Sequence, residues 1–416
     1  MIMSIKITRL DLCYLSIILP FALPLYNANN IGLLLCVPVF LYVGLIGIRN
    51  MIKELHHLNK AERYLLWLYF IGVIIASVIG LIKGYKIRSY WLYYVFAPSV
   101  YWTIKYMLYR GVKTEKLLTV AYYSGLFSAF FNLIMIMTPD VWGVTEFIGN
   151  RVGGSYETIY VATFCFGQYL LLSRRKKIPL PLHITGICVA ITDLVLAQSR
   201  SSFLVFVVGI IIVSTIKYRG KSNKVTLRSF IIKSLILLVI SIGLYQVVNG
   251  TSDFASRLVN TDVESKNDSF IVRYLIYTTN LEMFYKEPWG NGFGTPFTFV
   301  DGYGHIKFTD LEYVDNTYVT MAVHGGIALL CSFLFIILGS IYSSFKKRKF
   351  DRPFCDTLLV IFILYVFTAS IGTSQSLHEV SPNVMMWFLI SVMVNGFPDS
   401  ANQLKDRNKI IYCIKE

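Results

Sequence analysis

Long apolar stretches separated by short polar segments run along almost the whole chain. Twelve of them approach the length of roughly 20 helical residues that crosses about 30 Å of hydrocarbon. They cover residues 10–27, 31–48, 64–82, 90–104, 117–138, 157–173, 179–197, 202–216, 229–247, 316–344, 354–373 and 380–397. Because lipid offers backbone groups no hydrogen-bond partners, such spans form helices. The pattern therefore predicts an all-α polytopic membrane protein with about 12 transmembrane helices.

Composition and charge agree with this interpretation. Apolar residue types make up 55% of the 416 residues and charged types only 15%, against about 25% charged in soluble domains. This excludes a soluble enzyme, a disordered protein and a fibrous repeat. With the N-terminus in the cytoplasm, 29 of the 39 Lys and Arg residues fall in inward-facing segments. The positive-inside rule then predicts that both termini are cytoplasmic, and the basic total is a topology signal that requires no nucleic acid.

One external connection is far longer than a link between helices needs to be. Residues 248–315 form this loop, which is predicted to carry function on a rigid scaffold. Within it, 270–286 has apolar residues at helical spacing and predicts an amphipathic helix, followed by the turn-forming sequence EPWGNGFG. The chain accordingly divides into spans 1–9 (1–247), the loop, spans 10–12 (316–397) and a cytoplasmic tail (398–416).

Three of the arginines on the predicted outer side, against the general charge pattern, are candidates for a binding site. Arg151 precedes span 6, Arg200 lies between spans 7 and 8, and Arg273 opens the amphipathic segment. Each arginine by itself could extend to lipid phosphates at the surface. Three of them with glycine or serine neighbours favour a cleft that binds an anion, because a guanidinium group matches phosphate oxygens bidentately.

Carboxylate and imidazole side chains near this face supply candidate bases. Asp315 stands where the large loop re-enters the membrane, and His305 lies within the loop. His324 lies deeper in the same span before two glycines, where a packing role is favoured over catalysis. Asp193 lies inside a span, and a buried Asp–Arg or Asp–hydroxyl pair is favoured there over a catalytic role.

Four segments in order along the chain carry a resemblance to a known family. They are NRVGGSYET at 150–158, QSRSSF at 198–203, RYLIYTTNLEMFYKEPWGNGFG at 273–294 and DNTYVTMAVHGGI at 315–327. The arrangement resembles the superfamily of O-antigen polymerases (Wzy-type) and O-antigen ligases (WaaL-type), which are membrane glycosyltransferases with a GT-C-like helical bundle. The resemblance covers most of the chain in topology, and its motifs lie between about 150 and 330.

The resemblance implies roles for individual residues. Arg200 and Arg273, with Arg151 as a weaker correspondence, would hold the diphosphate of an undecaprenyl-linked glycan without a metal, nucleotide or other cofactor. The ligases have a histidine immediately before the Asn that opens the span after the loop, and here Asp315 takes that place. This departure weakens the ligase interpretation, and it makes Asp315 the first candidate base and His305 the second.

The resulting hypothesis is a surface-polysaccharide polymerase of the bacterial inner membrane. It would transfer a glycan from undecaprenyl diphosphate to a lipid-linked repeat unit at the periplasmic face, with the bilayer and a chain-length regulator protein as partners. Two alternatives stay open at this point. One is the ligase that transfers the glycan to lipid A–core, and the other, from a different class, is a transporter or flippase for the lipid-linked oligosaccharide. Inverted repeats are not evident, which counts against the transporter.

Overall fold

The computed structural model describes residues 8–22, 45, 60–86, 91–137, 147–148, 151–152, 157–173, 178–196, 200–216, 269–311, 314–368 and 380–396. Helices dominate this part of the chain. Their bounds are α1 Arg9–Ala22, α2 Lys60–Ile82, α3 Trp91–Phe96, α4 Ser99–Tyr109, α5 Thr114–Met137, α6 Glu157–Leu172, α7 Leu180–Leu196, α8 Arg200–Thr215, α9 Ser269–Lys286, α10 Thr317–Lys347, α11 Arg352–Phe367 and α12 Val380–Asn395.

Three of the described helices are long and apolar enough to cross a membrane. They are Glu62–Ile82 in α2, Thr114–Ile134 in α5 and Thr317–Lys347 in α10. Shorter apolar helices of 10–17 residues lie at Thr158–Leu172, Leu180–Val195, Ser202–Thr215 and Ser381–Asn395. The helical membrane-type architecture agrees with the sequence. The number of twelve spans stays a prediction, because spans 2 and 9 fall almost wholly outside the described residues.

Two helices form the centre of the bundle. In α6 every side chain from Thr158 to Leu170 is buried, and in α12 every side chain from Ser381 to Met393 is buried. Helices that are apolar all round are expected in the interior of such a bundle. In contrast, α2 and α10 each expose a row of large apolar side chains. The described bundle thus has an interior pair and a surface suited to lipid.

Buried polar side chains connect four helices of this bundle. The hydroxyl of Tyr122 in α5 lies 3.1 Å from Nδ1 of His183 in α7, whose Nε2 lies 3.1 Å from Oε1 of Gln168 in α6. Nε2 of Gln168 donates to Oγ of Ser214 in α8 at 2.7 Å. Interhelical hydrogen bonds of this kind fix which helix faces meet where hydrocarbon provides no polar alternative.

The structure also contains short strands that the all-α prediction did not include. Strands β1 (Phe147–Ile148) and β2 (Arg151–Val152) pair antiparallel. Strands β3 (Phe297–Val300) and β4 (Ile306–Leu311) form a second antiparallel pair, with Phe299 opposite Phe308. No pattern in the sequence indicates these strands, because strands of two to six residues are too short to show the alternation of apolar and polar positions that identifies a strand.

Around the β3–β4 hairpin, part of the predicted large loop packs as a small unit of its own. Its hydrophobic cluster is separate from the main core of the bundle. The buried members are Ile276 from α9, Phe297 and Val300 from β3, Val314, and Val319 and Val323 from α10. This loop unit therefore stands on the N-terminal part of α10, and α9 lies within it as the sequence predicted.

Candidate functional site

The N-terminal part of α9 meets the entrance to α10, and this contact joins two of the residues predicted from the sequence. Nη2 of Arg273 lies 3.6 Å from Oδ2 of Asp315. The side chains are 44% and 46% exposed, so each keeps a face open to solvent or to a ligand. The ion pair uses one nitrogen at a long distance and is not a bidentate contact, which leaves donors of the guanidinium group for an anion.

A second residue of α9 holds the backbone at the same point. Tyr277 lies four positions after Arg273, about one helical turn. Its hydroxyl donates a hydrogen bond of 2.6 Å to the backbone carbonyl of Asp315. The two neighbouring side chains of α9 therefore contact Asp315 at its carboxylate and at its main chain, which fixes the carboxylate relative to α9.

The residue after Asp315 begins the helix. Asn316 is the N-cap of α10, and its side-chain oxygen accepts hydrogen bonds from the backbone N–H groups of Tyr318 and Val319. These bonds satisfy donors that a helix end leaves unpaired. The cap fixes where α10 starts, and hence the position of Asp315 directly before the helix.

Burial and charge act on this carboxyl group in opposite directions. Desolvation raises the pKa of Asp315 above the ordinary 3.8, and the guanidinium of Arg273 lowers it by a smaller amount, so the net shift is upward. Burial also raises the pKa of Tyr277 to about 12, so its phenol keeps its proton at neutral pH and remains a donor. A carboxylate with a raised pKa is better suited to accept a proton from a hydroxyl group than an ordinary aspartate is.

One buried asparagine of α9 forms two hydrogen bonds with strand β3. Nδ2 of Asn280 donates to the carbonyl of Thr298 at 2.8 Å, and Oδ1 of Asn280 accepts from the N–H of Thr298 at 2.8 Å. The amide side chain thus pairs with both backbone groups of one strand residue, as a neighbouring strand would. These two hydrogen bonds hold the helix that carries Arg273 against the hairpin.

The segment EPWGNGFG, residues 287–294 and here named the plug, inserts where α10 is interrupted. Gly326 has φ 61° and ψ −159° inside α10, so the helix breaks there. The N–H of Asn291 donates to the carbonyl of Val323 at 2.7 Å, and the N–H of Ile327 donates to the carbonyl of Pro288 at 2.9 Å. In an unbroken helix Val323 and Ile327 would bond to each other. The plug replaces that bond with two of its own.

The plug also touches α2, where two glycines meet. The N–H of Phe293 donates to the carbonyl of Ala76 at 3.0 Å. A Cβ atom on Gly292 would lie 2.3 Å from the backbone nitrogen of Gly80, and one on Gly80 would lie 2.3 Å from the carbonyl oxygen of Phe293. The glycines of this segment are therefore required by the close approach of three backbones, and the plug attaches the loop unit to the bundle.

His324 lies inside this junction rather than in an open site. Its side chain is fully buried, with ring centroids 5.4 Å from Phe293 and 5.1 Å from Phe297. Its ring also interacts with the backbone of Thr295. This environment agrees with the packing role that was favoured from the sequence.

The structure places His305, the second candidate base, in the turn of the β3–β4 hairpin. Its side chain is 75% exposed, and its Nδ1 lies 3.5 Å from Oδ2 of Asp301. Its backbone N–H donates to Oδ1 of Asp301, and its ring stacks on Tyr303. The contacts recorded for His305 stay within the hairpin, and none joins it to the described side chains of Arg273 or Asp315.

The other two predicted arginines are described by their backbone alone. Arg200 is the first residue of α8, and Arg151 lies in β2 opposite Ile148. Their side chains lie outside the described part of the structure. Their roles in binding a diphosphate therefore stay predictions.

Asp193, the intramembrane carboxylate, has a hydroxyl partner. It is buried in α7, and its Oδ2 accepts a hydrogen bond of 2.8 Å from the hydroxyl of Tyr160 in α6. Of the two pairs expected from the sequence, this is the Asp–hydroxyl pair. It links two helices of the bundle.

Four aromatic residues of the loop that could stack on sugar rings fall into two classes. Phe293 and Phe297 are fully buried and pack the loop unit onto the bundle. Trp289 and Tyr303 have 73% and 59% of their surface exposed. Only the second pair is accessible to a ligand or to lipid.

Sequence reasoning missed Tyr277, Asn280 and the break at Gly326. A signal existed for the first two: Tyr277 is one turn from Arg273 on the same helix face, and an asparagine in the middle of an apolar helix needs partners. Gly326 gave no equivalent signal, because the apolar pattern of α10 continues through it.

Among the residues that the structure describes, no group of three or more His, Cys, Asp or Glu side chains is arranged to hold a metal ion. The chemistry available at the α9–α10 contact is that of a guanidinium group beside a half-exposed carboxylate.

Comparison with known proteins supports the resemblance noted in the sequence. Residues 185–334 match a family model described as O-antigen ligase. This range contains Arg200, Arg273, His305 and Asp315, whereas Arg151 lies before it. No curated protein matches the chain. The match supports an O-antigen ligase or polymerase type of function in general and does not distinguish a polymerase from a ligase.

Proposed function

We propose that this protein is a polysaccharide polymerase that transfers a glycan from undecaprenyl diphosphate to a lipid-linked repeat unit at the periplasmic face of the inner membrane. The observation that carries the proposal is the Arg273–Asp315 contact at the start of α10, inside the range that matches the O-antigen ligase family. The contact unites an anion-binding group and a proton acceptor, which are the two functions that this transfer needs.

The proposed reaction follows from the diphosphate leaving group of the donor. The acceptor hydroxyl oxygen attacks C1 of the donor sugar, and its proton passes to the carboxylate of Asp315. The bond between C1 and the phosphate oxygen breaks, and undecaprenyl diphosphate leaves with the bonding electron pair. Guanidinium groups held at the site stabilise the charge on the departing phosphate. Arg273 supplies one such group, and Arg200 and Arg151 are the proposed additional ones. A direct displacement of this kind inverts the configuration at C1.

The replacement of histidine by Asp315 supports the polymerase over the ligase. A carboxylate can accept the proton of a sugar hydroxyl, and its raised pKa makes it a stronger base than an exposed aspartate. The ligase alternative is supported by the description of the matching family, so the experiment must separate the two acceptors.

The test uses purified full-length protein in nanodiscs with lipid-linked repeat units as the only glycan substrate. We expect chain lengthening by the native protein. Loss of the general base in Asp315→Asn should reduce the rate by a factor on the order of 10²–10⁴. A parallel reaction contains lipid A–core, and transfer of glycan to that acceptor without lengthening of the repeat would establish the ligase instead.

The side of the membrane on which the lipid-linked repeats are found distinguishes a transporter from a polymerase. If Arg273→Gln slows chain lengthening while lipid-linked repeats still reach the periplasmic face, the arginine serves transfer. If the repeats instead accumulate on the cytoplasmic side of the membrane, the polymerase proposal is wrong.

A further inference from the structure

The lipid-suited surface of the bundle has a definite edge. In α10, the segment from Thr317 to Gly326 has no exposed side chain, and large exposed apolar side chains begin at Ile327. In α2, the exposed apolar row ends at Leu81 and Ile82, and Lys83 follows. On helices long and apolar enough to cross a membrane, an apolar surface of this extent suits contact with hydrocarbon. Exposed apolar side chains therefore begin at Ile327 on α10 and extend to Ile82 on α2, about two turns beyond Ala76, which bonds to the plug.

The length of α10 agrees with that edge. The helix has 31 residues and would be about 46 Å long if continuous, which exceeds the roughly 30 Å of a hydrocarbon layer. The part after Gly326, from Ile327 to Lys347, would extend about 31 Å by the same rise per residue. This part alone is long enough to span, which places the break at Gly326 at one boundary of the membrane.

The plug contacts the first exposed turn of α10 and the last two turns of α2. It bonds to Ile327 on the α10 side and to Ala76 on the α2 side, and its backbone approaches Gly80 and Gly326 closely. Irregular backbone is tolerated at membrane depth only where protein groups satisfy its polar atoms. At the end of α2, Lys83 forms an ion pair with Glu287 of the plug. Such a charged pair suits the headgroup layer and not the hydrocarbon.

Two aromatic side chains at and near the plug are largely exposed in the part of the chain that the structure describes. Trp289 and Tyr285 each have 73% of their surface exposed. Trp289 follows Pro288, whose carbonyl accepts the N–H of Ile327, the first residue of α10 with an exposed side chain. Tryptophan and tyrosine concentrate at membrane boundaries because one end of the ring system is apolar and the other forms hydrogen bonds with water and headgroups.

We propose that the plug is a membrane-docking surface, with the indole of Trp289 inserted in the boundary between the headgroups and acyl chains of the outer leaflet. The partner is the phospholipid bilayer itself. Because the plug also carries α9 and β3, this contact fixes the loop unit relative to the membrane surface. The inference does not depend on the proposed enzymatic activity.

The experiment measures quenching of tryptophan fluorescence by brominated phospholipids in nanodiscs that contain the full chain. The protein has 6 tryptophans, so the emission of Trp289 is obtained as the difference between the native protein and Trp289→Phe. Bromine is placed either near the glycerol end or near the middle of the acyl chain. We expect loss of the Trp289 emission with the shallow bromines and a smaller loss with the deep ones.

Two matched variants calibrate the measurement. Trp387→Phe isolates a tryptophan buried in the bundle, whose emission should be insensitive to both lipids. Trp67→Phe isolates an exposed tryptophan on the lipid-suited face of α2, whose emission should be quenched. Trp289→Tyr serves as a second variant that keeps a boundary-type side chain if the phenylalanine variant folds poorly.

Either of two results would overturn the proposal. Emission of Trp289 that responds to aqueous acrylamide and to neither brominated lipid would place the plug in water, where the exposed ring is available to a sugar. Quenching that is stronger with deep than with shallow bromines would place the edge of the hydrocarbon elsewhere on α10.

Discussion

Asp315 has contacts to Arg273 and Tyr277 that control two different properties of the same residue. The guanidinium group of Arg273 acts on the charge of the carboxylate, and the hydroxyl of Tyr277 holds the main chain that bears it. A base in catalysis needs both a suitable pKa and a fixed position. The two contacts can be removed separately, so their effects on the rate can be distinguished.

The activity should depend on pH. A general base acts as the carboxylate, so activity should rise as pH increases through the pKa of Asp315, which lies above 3.8. Arg273 lowers that pKa, and Arg273→Gln should therefore move the acidic limb of kcat to higher pH. Arg273→Lys keeps the positive charge and should leave the limb closer to its native position. A limb that does not respond to either substitution would show that another group is the base.

The second prediction concerns Tyr277. Tyr277→Phe keeps the ring and removes only the hydroxyl that bonds to the carbonyl of Asp315. We expect kcat to fall by about fivefold, since a lost hydrogen bond is worth roughly 1 kcal/mol, with little change in KM for the lipid-linked donor. Tyr274→Phe is the matched control, because Tyr274 lies on the same helix with an exposed side chain. Equal effects of the two substitutions would mean that Tyr277 does not position Asp315.

The break in α10 is the feature on which the loop unit depends. The plug exchanges hydrogen bonds with Val323 and Ile327, and it can do so only because Gly326 interrupts the helix. A side chain at Gly326 would meet the backbone of Trp289 at 2.3 Å. Neither backbone can move without breaking the bonds that join them.

Gly326→Ala should accordingly destabilise the protein by more than about 3 kcal/mol, because backbone strain of roughly 1–3 kcal/mol adds to the steric overlap. Gly84→Ala separates the two causes: Gly84 has φ 72° and no atom within 4 Å of an added Cβ, so it should show strain alone. Thermal unfolding of both variants in detergent measures the difference. Equal stability of the two variants would contradict the close approach of the plug to α10.

Part of this element arrangement could be predicted from the sequence. Helical spacing of apolar residues predicted a helix at 270–286, and the structure has Ser269–Lys286. The glycines and proline at 287–294 correctly predicted a turn. The site of insertion was not predictable, because it depends on contacts with Val323 and Ala76, which are distant along the chain. Strand β3 was missed because Asn280 and α10, rather than its own pattern, hold it in place.

The plug determines whether the candidate site is held rigidly to the helical bundle. Arg273 and Asp315 belong to the loop unit, whose hydrophobic cluster is separate from that of the bundle. The charges explain why sequence alone located both residues, since an external arginine and a carboxylate at a membrane entry are conspicuous. Their proximity follows from the packing of α9 on α10 and could be expected only through the resemblance.

The attachment of the plug to α2 can be tested without altering Arg273 or Asp315. Gly80→Ala would place a methyl group 2.3 Å from the carbonyl oxygen of Phe293 and push the plug away from α2. A displacement near 1 Å can cost about 100-fold in rate, so activity should fall strongly while the bundle stays folded. Gly339→Ala is the control on the neighbouring helix, because its methyl group would meet Leu65 at an ordinary 3.5 Å.

Two measurements on these variants decide the outcome. Size-exclusion chromatography in detergent reports whether the bundle is intact, and limited proteolysis of the 269–311 region reports whether the loop unit has loosened. We expect Gly80→Ala to elute normally, to be cleaved faster in this region and to be nearly inactive, and Gly339→Ala to match the native protein in all three respects. Native activity in Gly80→Ala together with faster cleavage would mean that the loop unit positions Arg273 and Asp315 independently of the bundle, because α9, β3 and the start of α10 would then suffice.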